Sequence, residues 1–261
     1  MRKYIMFFLA GILLVILNGC GTEIHLTKDE QGLPYAEELI EKSSEQIENL
    51  ESFSVVFKST YRNLSVKESA ENSHTETIKV DYVKEPFAMY TELSDPETPF
   101  KEYITEKYGI STFRNGQWVV GPDFEEFTAA RIADNKKSVD PYHDLKILTI
   151  QDMQVDQKGK NYILTVTGTR HEESSDKDDF DSDKKQNTRT IDRTSKLTYT
   201  INKKTLLPVE LITETESTID YSGDKKYTEV KVVHSYQNIN GVNEKKLLEE
   251  AYKASDPRFS E

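Results

Sequence analysis

The sequence predicts an α+β fold in which one antiparallel sheet is covered by a few helices. Apolar and polar residues alternate over many short runs between residues 53 and 236, as they do in strands with one buried face. Close turns such as Asn115-Gly116 join these runs, and short connections require antiparallel pairing. One long amphipathic helix precedes the first strand. These observations together predict a single domain over residues 34–242.

Residues 1–19 are the first element and are predicted to be an export signal. Arg2 and Lys3 give a positive start, and the apolar run from Ile5 to Leu17 has the length of a signal-peptide core. That run is shorter than the about 20 apolar residues of a membrane-spanning helix. An uncleaved signal anchor and a secretory signal without lipidation are the alternatives.

Leu17, Asn18 and Gly19 immediately precede Cys20, the single cysteine of the chain. This tetrapeptide resembles the lipobox of bacterial lipoproteins. The resemblance implies that Cys20 becomes the first mature residue and carries a thioether-linked diacylglycerol. Because two acyl chains give stable anchoring, the expected location is the extracytoplasmic face of the cell membrane.

The composition excludes several classes of function. The chain has 46 Asp and Glu against 34 Lys and Arg, a formal net charge of −12, whereas affinity for nucleic acid comes largely from cations. One cysteine excludes an internal disulfide framework and a cysteine-rich zinc site. Removing residues 1–19 removes Arg2 and Lys3, which leaves −12 − 2 = −14 on the mature chain. Such a chain should stand off an anionic membrane surface.

Residues 20–33 are polar and without periodicity, which indicates a tether. Pro34 is favourable at the start of a helix, and a helix of about 16 residues is expected from there. About ten short strands follow, separated by turns. Short helical segments are predicted at 123–134 and 141–148, and residues 243–261 are predicted to form a final helix, capped by Asn243, with a frayed tail.

Candidate metal and catalytic sites are weak in this sequence. Asp179, Asp181 and Asp183 have the spacing of the first ligands of an EF-hand loop, but Lys184 and Thr190 stand where that loop needs Gly and Glu. A solvated hairpin loop is therefore the preferred interpretation of this aspartate cluster. No nucleophile motif, phosphate-binding loop or paired histidine ligands are found, so neither an enzyme, a cofactor nor a metal is expected.

Two single residues have alternative interpretations. His234 alternates with Val232 and Tyr236, which favours a core histidine. Trp118 could contact a ligand on a concave sheet, although a lone strand tryptophan is more often part of a core. A broad sheet that few helices cover should leave an apolar hollow, whose lining residues the sequence does not identify.

Two stretches resemble the LolA/LppX-like superfamily of envelope lipid-binding proteins. The run from Ile47 to Phe53 leads an amphipathic helix directly into the first strand, and the run from Leu197 to Val209 ends a strand in a charged turn and restarts with Leu-Pro-Val. The resemblance covers roughly residues 34–240, and the lipid-anchored members from low-GC Gram-positive bacteria are the most similar.

The resemblance implies a curved antiparallel sheet, or half-open β-barrel, whose concave face is partly plugged by helices. It implies that the protein holds a lipid or other amphiphile without chemistry. The anchor at Cys20 departs from the soluble carriers of this superfamily, which puts free shuttling in doubt. The alternative is a protein-interaction or regulatory module of the envelope or spore that uses the same fold.

Overall fold

The computed structural model describes residues 24–64, 73–94, 99–121, 125–176, 187–221, 223–256 and 258. The predicted export signal, the lipobox residues Leu17, Asn18 and Gly19, and Cys20 lie outside these residues. So do Asp179, Asp181 and Asp183, the aspartates considered for calcium.

Eleven strands form one open antiparallel sheet. They are β1 (Ser52–Asn63), β2 (Ser73–Val83), β3 (Ala88–Leu93), β4 (Phe100–Thr105), β5 (Gly109–Arg114), β6 (Gln117–Val120), β7 (Thr149–Lys158), β8 (Asn161–Asp176), β9 (Asn187–Asn202), β10 (Pro208–Tyr221) and β11 (Asp224–Gln237). Their order across the sheet is β6-β5-β4-β3-β2-β1-β11-β10-β9-β8-β7. Two meanders, β1–β6 and β7–β11, therefore join where the first strand pairs with the last.

The alternation of side chains gives the sheet two distinct faces. The face that carries Val55 is called the inner face, and the face that carries Ser54 is called the outer face. The register of β1 against β2 brings Phe53 opposite Tyr82 and Val55 opposite Val80, so apolar cross-strand pairs line the inner face. Alternation in the sequence thus becomes a single continuous apolar surface.

Three α-helices and one short 3-10 helix cover the sheet within the described part of the chain. They are α1 (Ala36–Glu48), α2 (Glu125–Ser138), the 3-10 helix (Asp144–Lys146) and α3 (Glu244–Ser255). None of the helices described is long and apolar enough to cross a membrane. Residues 125–148, called the crossover segment, lead from edge strand β6 to the opposite edge strand β7, and they cross the inner face on the way.

Buried hydrogen bonds fix α1 and the crossover segment to the sheet. The Tyr142 hydroxyl donates to Ser43 Oγ at 2.6 Å, and that hydroxyl donates to the Leu206 carbonyl at 2.5 Å. Tyr142 also stacks on Tyr199 with 5.0 Å between ring centroids. Since buried polar groups are costly when unpaired, this chain of contacts defines the position of both covering elements.

The buried apolar residues form three clusters. One lies on the inner face of β8–β10 beneath α1 and Tyr142, and a second lies on the inner face of β1–β5 beneath α2. The third lies on the outer face, where Leu247, Ala251 and Ala254 of α3 pack on β3 and β4. The inner face is therefore covered across most of its width, and the outer face only at one end.

The predicted fold class, an α+β fold on one antiparallel sheet with an N-terminal helix, is confirmed. The helix starts at Ala36 rather than Pro34, and the strands number eleven rather than about ten. The largest difference is in the polar region from residue 171, which was expected to be a loop: β8 continues to Asp176 and β9 begins at Asn187. These ends are polar on both faces, so they carry no hydrophobic alternation that would reveal a strand.

Candidate functional site

The long strands β8–β11 extend beyond the layer that covers them. Leu197, Tyr199 and Leu211 are almost completely buried under α1 and the crossover segment. Further along the same strands, Ile219 and Val230 are only partly buried, and Tyr61 of the adjoining β1 is 43% exposed. The uncovered part of the inner face therefore remains open to a ligand.

A trough of about 370 Å³ occupies this uncovered region. Strands β1 and β8–β11 form its floor, and Asp144, Ile147 and Leu148 of the crossover segment form its rim. The floor combines apolar side chains with five hydroxyl-bearing ones, namely Tyr61, Ile191, Leu197, Ile219 and Val230 with Ser195, Thr213, Thr215, Ser217 and Thr228. Its volume lies within the range of small-molecule sites, about 300–1,000 Å³.

The trough differs from the purely apolar hollow that the sequence predicts. Ser195 Oγ and Thr215 Oγ1 lie 3.0 Å apart and share a hydrogen bond. Thr213 Oγ1 is buried and has no partner among the described residues. Threonine is β-branched and suits a strand as valine does, so its hydroxyl enters the floor without disturbing the sheet. The result is an amphipathic lining.

The polar side chains of the trough are concentrated at one level of the sheet. The registers of three strand pairs place Thr228, Ser217, Arg193 and Arg170 directly side by side across β11, β10, β9 and β8. Glu172 Oε1 accepts from Arg170 Nε at 2.6 Å and from Arg193 Nη1 at 2.5 Å. This row, called the polar row, consists of hydrogen-bond donors that face the trough.

A second pocket of about 400 Å³ lies between α1 and α2. Its walls include Leu50, Phe53 and Tyr82, with Lys84 and Lys136 at its edge. Lys84 Nζ donates to the Glu48 carbonyl at 2.6 Å, and Lys136 Nζ lies 5.2 Å from the Phe87 ring centroid. Because both cations already stabilise the structure, this pocket is a gap between helices and a weaker candidate than the trough.

The residues singled out in the sequence lie elsewhere. Trp118 packs on the outer face, 5.2 Å from Tyr103 and 5.4 Å from Phe113 by ring centroids, beside the cluster under α3. Its proposed ligand role on the concave face is therefore wrong, and the core interpretation holds. His234 lies on the inner face with its ring 4.7 Å from that of Phe57. The described residues include no group of three or more His, Cys, Asp or Glu that could hold a metal ion.

Burial gives His234 a measurable effect on stability. It lowers the pKa of the imidazole to about 4, below the ordinary value of about 6.5. Between these values the unfolded chain binds more protons than the folded one, so stability falls as pH drops from about 6.5 to about 4. At 1.36 kcal/mol per pKa unit, the loss attributable to His234 is up to about 3 kcal/mol.

We expect His234→Phe, which keeps a ring against Phe57 but cannot titrate, to flatten this pH dependence. Urea unfolding at pH 7, 5.5 and 4.5 measures it. His171→Gln is the control, because His171 is exposed on the outer face beside Asp192 and solvent weakens such pairs. An unchanged slope for His234→Phe would show that another group titrates.

Sequence reasoning missed Arg170 and Arg193. They are 23 residues apart in the chain, and only the register of β8 against β9 brings them together. Residues from 171 onward were interpreted as a loop, which removed the strand that makes the pair visible. Two arginines in an acidic chain were the only available signal.

Comparisons with known proteins give one sequence match and two weak structural likenesses. The model of the Family of unknown function (DUF6612) matches residues 35–255. No curated protein matches the chain. LprF from Mycobacterium bovis is similar at 17% identity and a TM-score of 0.37, over 80% of this chain and 94% of LprF. A LolA superfamily protein from Nitrosomonas europaea is similar at 12% identity and a TM-score of 0.28, over 80% and 94% of the respective chains. The resemblance expected from the sequence is thus found again among solved structures, while the site is interpreted from this chain alone.

Proposed function

The chain belongs to DUF6612, a family of unknown function, and we propose that it is a membrane-anchored extracytoplasmic lipoprotein that binds a lipid or another amphiphile. The ligand occupies the inner-face trough, and no reaction is catalysed. The observation that carries this proposal is the extension of β8–β11 beyond the covering layer, which leaves Ile219, Val230 and Tyr61 incompletely buried on an inner face.

The lining of the trough suits a ligand with an apolar chain and a polar head. Each methylene removed from water contributes about 0.8 kcal/mol, so a short length of acyl chain along Ile191 and Val230 supplies useful affinity. The hydroxyls of Ser195 and Thr215 can exchange their mutual hydrogen bond for bonds to a polar group. A purely apolar ligand would leave these groups unpaired, which is unfavourable.

The lipid anchor at Cys20 would hold this site close to the membrane. In cells fed a labelled fatty-acid precursor, we expect label in the wild-type protein and none in Cys20→Ala. Thr22→Ala, two residues further on, is the control and should remain labelled. Label retained by Cys20→Ala, or its continued recovery with membranes, would contradict the anchor.

Ligand uptake is testable on the mature chain from residue 20 with Cys20→Ala, which cannot be lipidated. We expect this protein, while folded, to take up the neutral fluorophore N-phenyl-1-naphthylamine saturably, and an added amphiphile to displace it. Circular dichroism under the same conditions shows that the fold is intact. A folded protein that takes up no probe would argue against a ligand trough.

A second candidate function, protein interaction, is favoured by one specific feature. Edge strand β6 exposes Val119 and Val120 by 46% each, and Phe127 of α2 is 47% exposed. An exposed edge strand can pair with a strand of another protein. Cross-linking in cells, with wild type and Cys20→Ala, separates the two functions: a specific protein adduct in the absence of any bound amphiphile would favour this one.

A further inference from the structure

Arg170 and Arg193 lie directly opposite each other on β8 and β9 and belong to the same face of the sheet. Two like charges in this position destabilise a strand pair. Each guanidinium is about one third exposed, at 35% and 33%, and both line the trough. Neither arginine is therefore used to bury a charge in the core, and both remain accessible to a ligand.

Glu172 compensates only part of this charge. One oxygen of a single carboxylate accepts from both guanidiniums, so the cluster of three side chains carries a net charge of +1. Asp144 on the rim is the other charged lining residue, and among the described ion pairs it forms none with either arginine. In a chain with a net charge of −12, this positive cluster faces the hollow.

The donors of the cluster are not exhausted by Glu172. A guanidinium has five N–H donors, and the described ion pairs use Nε of Arg170 and Nη1 of Arg193. Ser217 and Thr228 stand beside Arg193 in the polar row and add hydroxyl donors at the same level. Several donors and one unbalanced positive charge match the oxygens of a phosphate or carboxylate group.

We propose that the polar row is a headgroup subsite that selects an anionic amphiphile, with its phosphate or carboxylate on Arg170 and Arg193. The chain of the ligand then lies along the apolar floor, beside Leu197 and Val230. This inference rests on the proposed function, because it names the class of ligand that the trough takes. The competing source of the same chemistry is a free inorganic anion without a chain.

Three ligands separate these alternatives when each competes with N-phenyl-1-naphthylamine for the mature Cys20→Ala protein. Dodecyl phosphate has both parts of the ligand, dodecylphosphocholine has the same chain without net charge, and inorganic phosphate has no chain. We expect dodecyl phosphate to bind most tightly. Hydrogen bonds to charged groups contribute about 1.5–3 kcal/mol, so Arg193→Gln should weaken dodecyl phosphate about 10-fold to 100-fold and leave the other two amphiphiles, the fluorophore and dodecylphosphocholine, within about twofold.

Two further variants make the test specific. Glu172→Gln removes the compensating charge from the same cluster, so we expect it to strengthen dodecyl phosphate binding, the opposite direction to Arg193→Gln. Arg62→Gln is the matched control, because Arg62 pairs with Glu229 on the outer face and should leave every affinity unchanged. Thermal unfolding shows that each variant is folded.

The outcomes distinguish this inference from the proposed function. If the fluorophore and both amphiphiles fail to bind, the proposed function fails. If both amphiphiles bind equally and Arg193→Gln changes neither, the trough binds a ligand but the headgroup subsite is wrong. If inorganic phosphate binds as tightly as dodecyl phosphate and depends on Arg193, the assignment to a lipid headgroup is overturned.

Discussion

Ser217→Trp is expected to abolish ligand uptake while the protein stays folded. Ser217 lies on the inner face of β10, in the polar row at the centre of the trough. An indole at this position projects into the trough and occupies the space of the ligand rather than space in the core. Because the site is open to solvent, the fold is spared the strain that overpacking a core produces. We expect the affinity for N-phenyl-1-naphthylamine and for dodecyl phosphate to fall at least about tenfold.

Glu216→Trp is the matched control for that substitution. Glu216 is the preceding residue of the same strand, and its exposed side chain lies on the outer face. The same bulky ring is introduced there, so effects on strand propensity or solubility are shared, while the trough is left unchanged. Equal loss of binding in both variants would place the ligand outside the trough.

Leu39→Ala is expected to produce the largest loss of stability among the covering elements. Leu39 is completely buried on α1, in the cluster that contains Tyr142 and Tyr199. Removing a buried leucine side chain costs about 2–5 kcal/mol, because transfer free energy is lost and a cavity remains. For a protein of this size the midpoint of thermal unfolding should fall by about 4–20 °C.

Urea and thermal unfolding of Leu39→Ala and Glu41→Ala measure this effect. Glu41 lies two residues away on the exposed side of the same helix, so its substitution should change stability by less than about 0.5 kcal/mol. A similarly small effect of Leu39→Ala would mean that α1 is not held on the sheet as described. At a temperature where both variants are folded, ligand affinity should be retained, since α1 does not line the trough.

Local elements of this fold could be predicted from the sequence because their signals are local. Asn115 and Gly116 form the expected tight turn, with φ of 52° and 84°, a conformation that these two residue types tolerate. Asn243 caps the last helix as expected, and its side chain accepts from the Lys246 amide at 3.0 Å. In both cases the residues that carry the signal also make the structure.

The features that create the site are non-local, and the sequence did not reveal them. Nothing in β1 or β11 alone indicates that Val55 will stand opposite Tyr236. The ends of β8 and β9 are polar on both faces, so hydrophobic periodicity cannot identify them as strands. Recognising Arg170 and Arg193 as neighbours requires both the strand assignment and its register, because a slip of one residue would move either side chain to the other face.

The position of the covering layer is equally non-local. The Tyr142 hydroxyl reaches Ser43, 99 residues earlier in the chain, and the Tyr199 hydroxyl donates to the Pro141 carbonyl at 3.1 Å. These bonds determine how much of β8–β11 the crossover segment covers and therefore where the trough begins. The sequence predicts that a hollow exists, but its position depends on these contacts.

Mass spectrometry of material extracted from the protein purified from its own cells tests the central claim most directly. We expect an anionic amphiphile near one molecule per chain in the wild-type protein, and its loss in Ser217→Trp but not in Glu216→Trp. Wild-type protein that is folded, carries no amphiphile and takes up none when it is offered would contradict the assignment of the inner-face trough as a lipid-binding site.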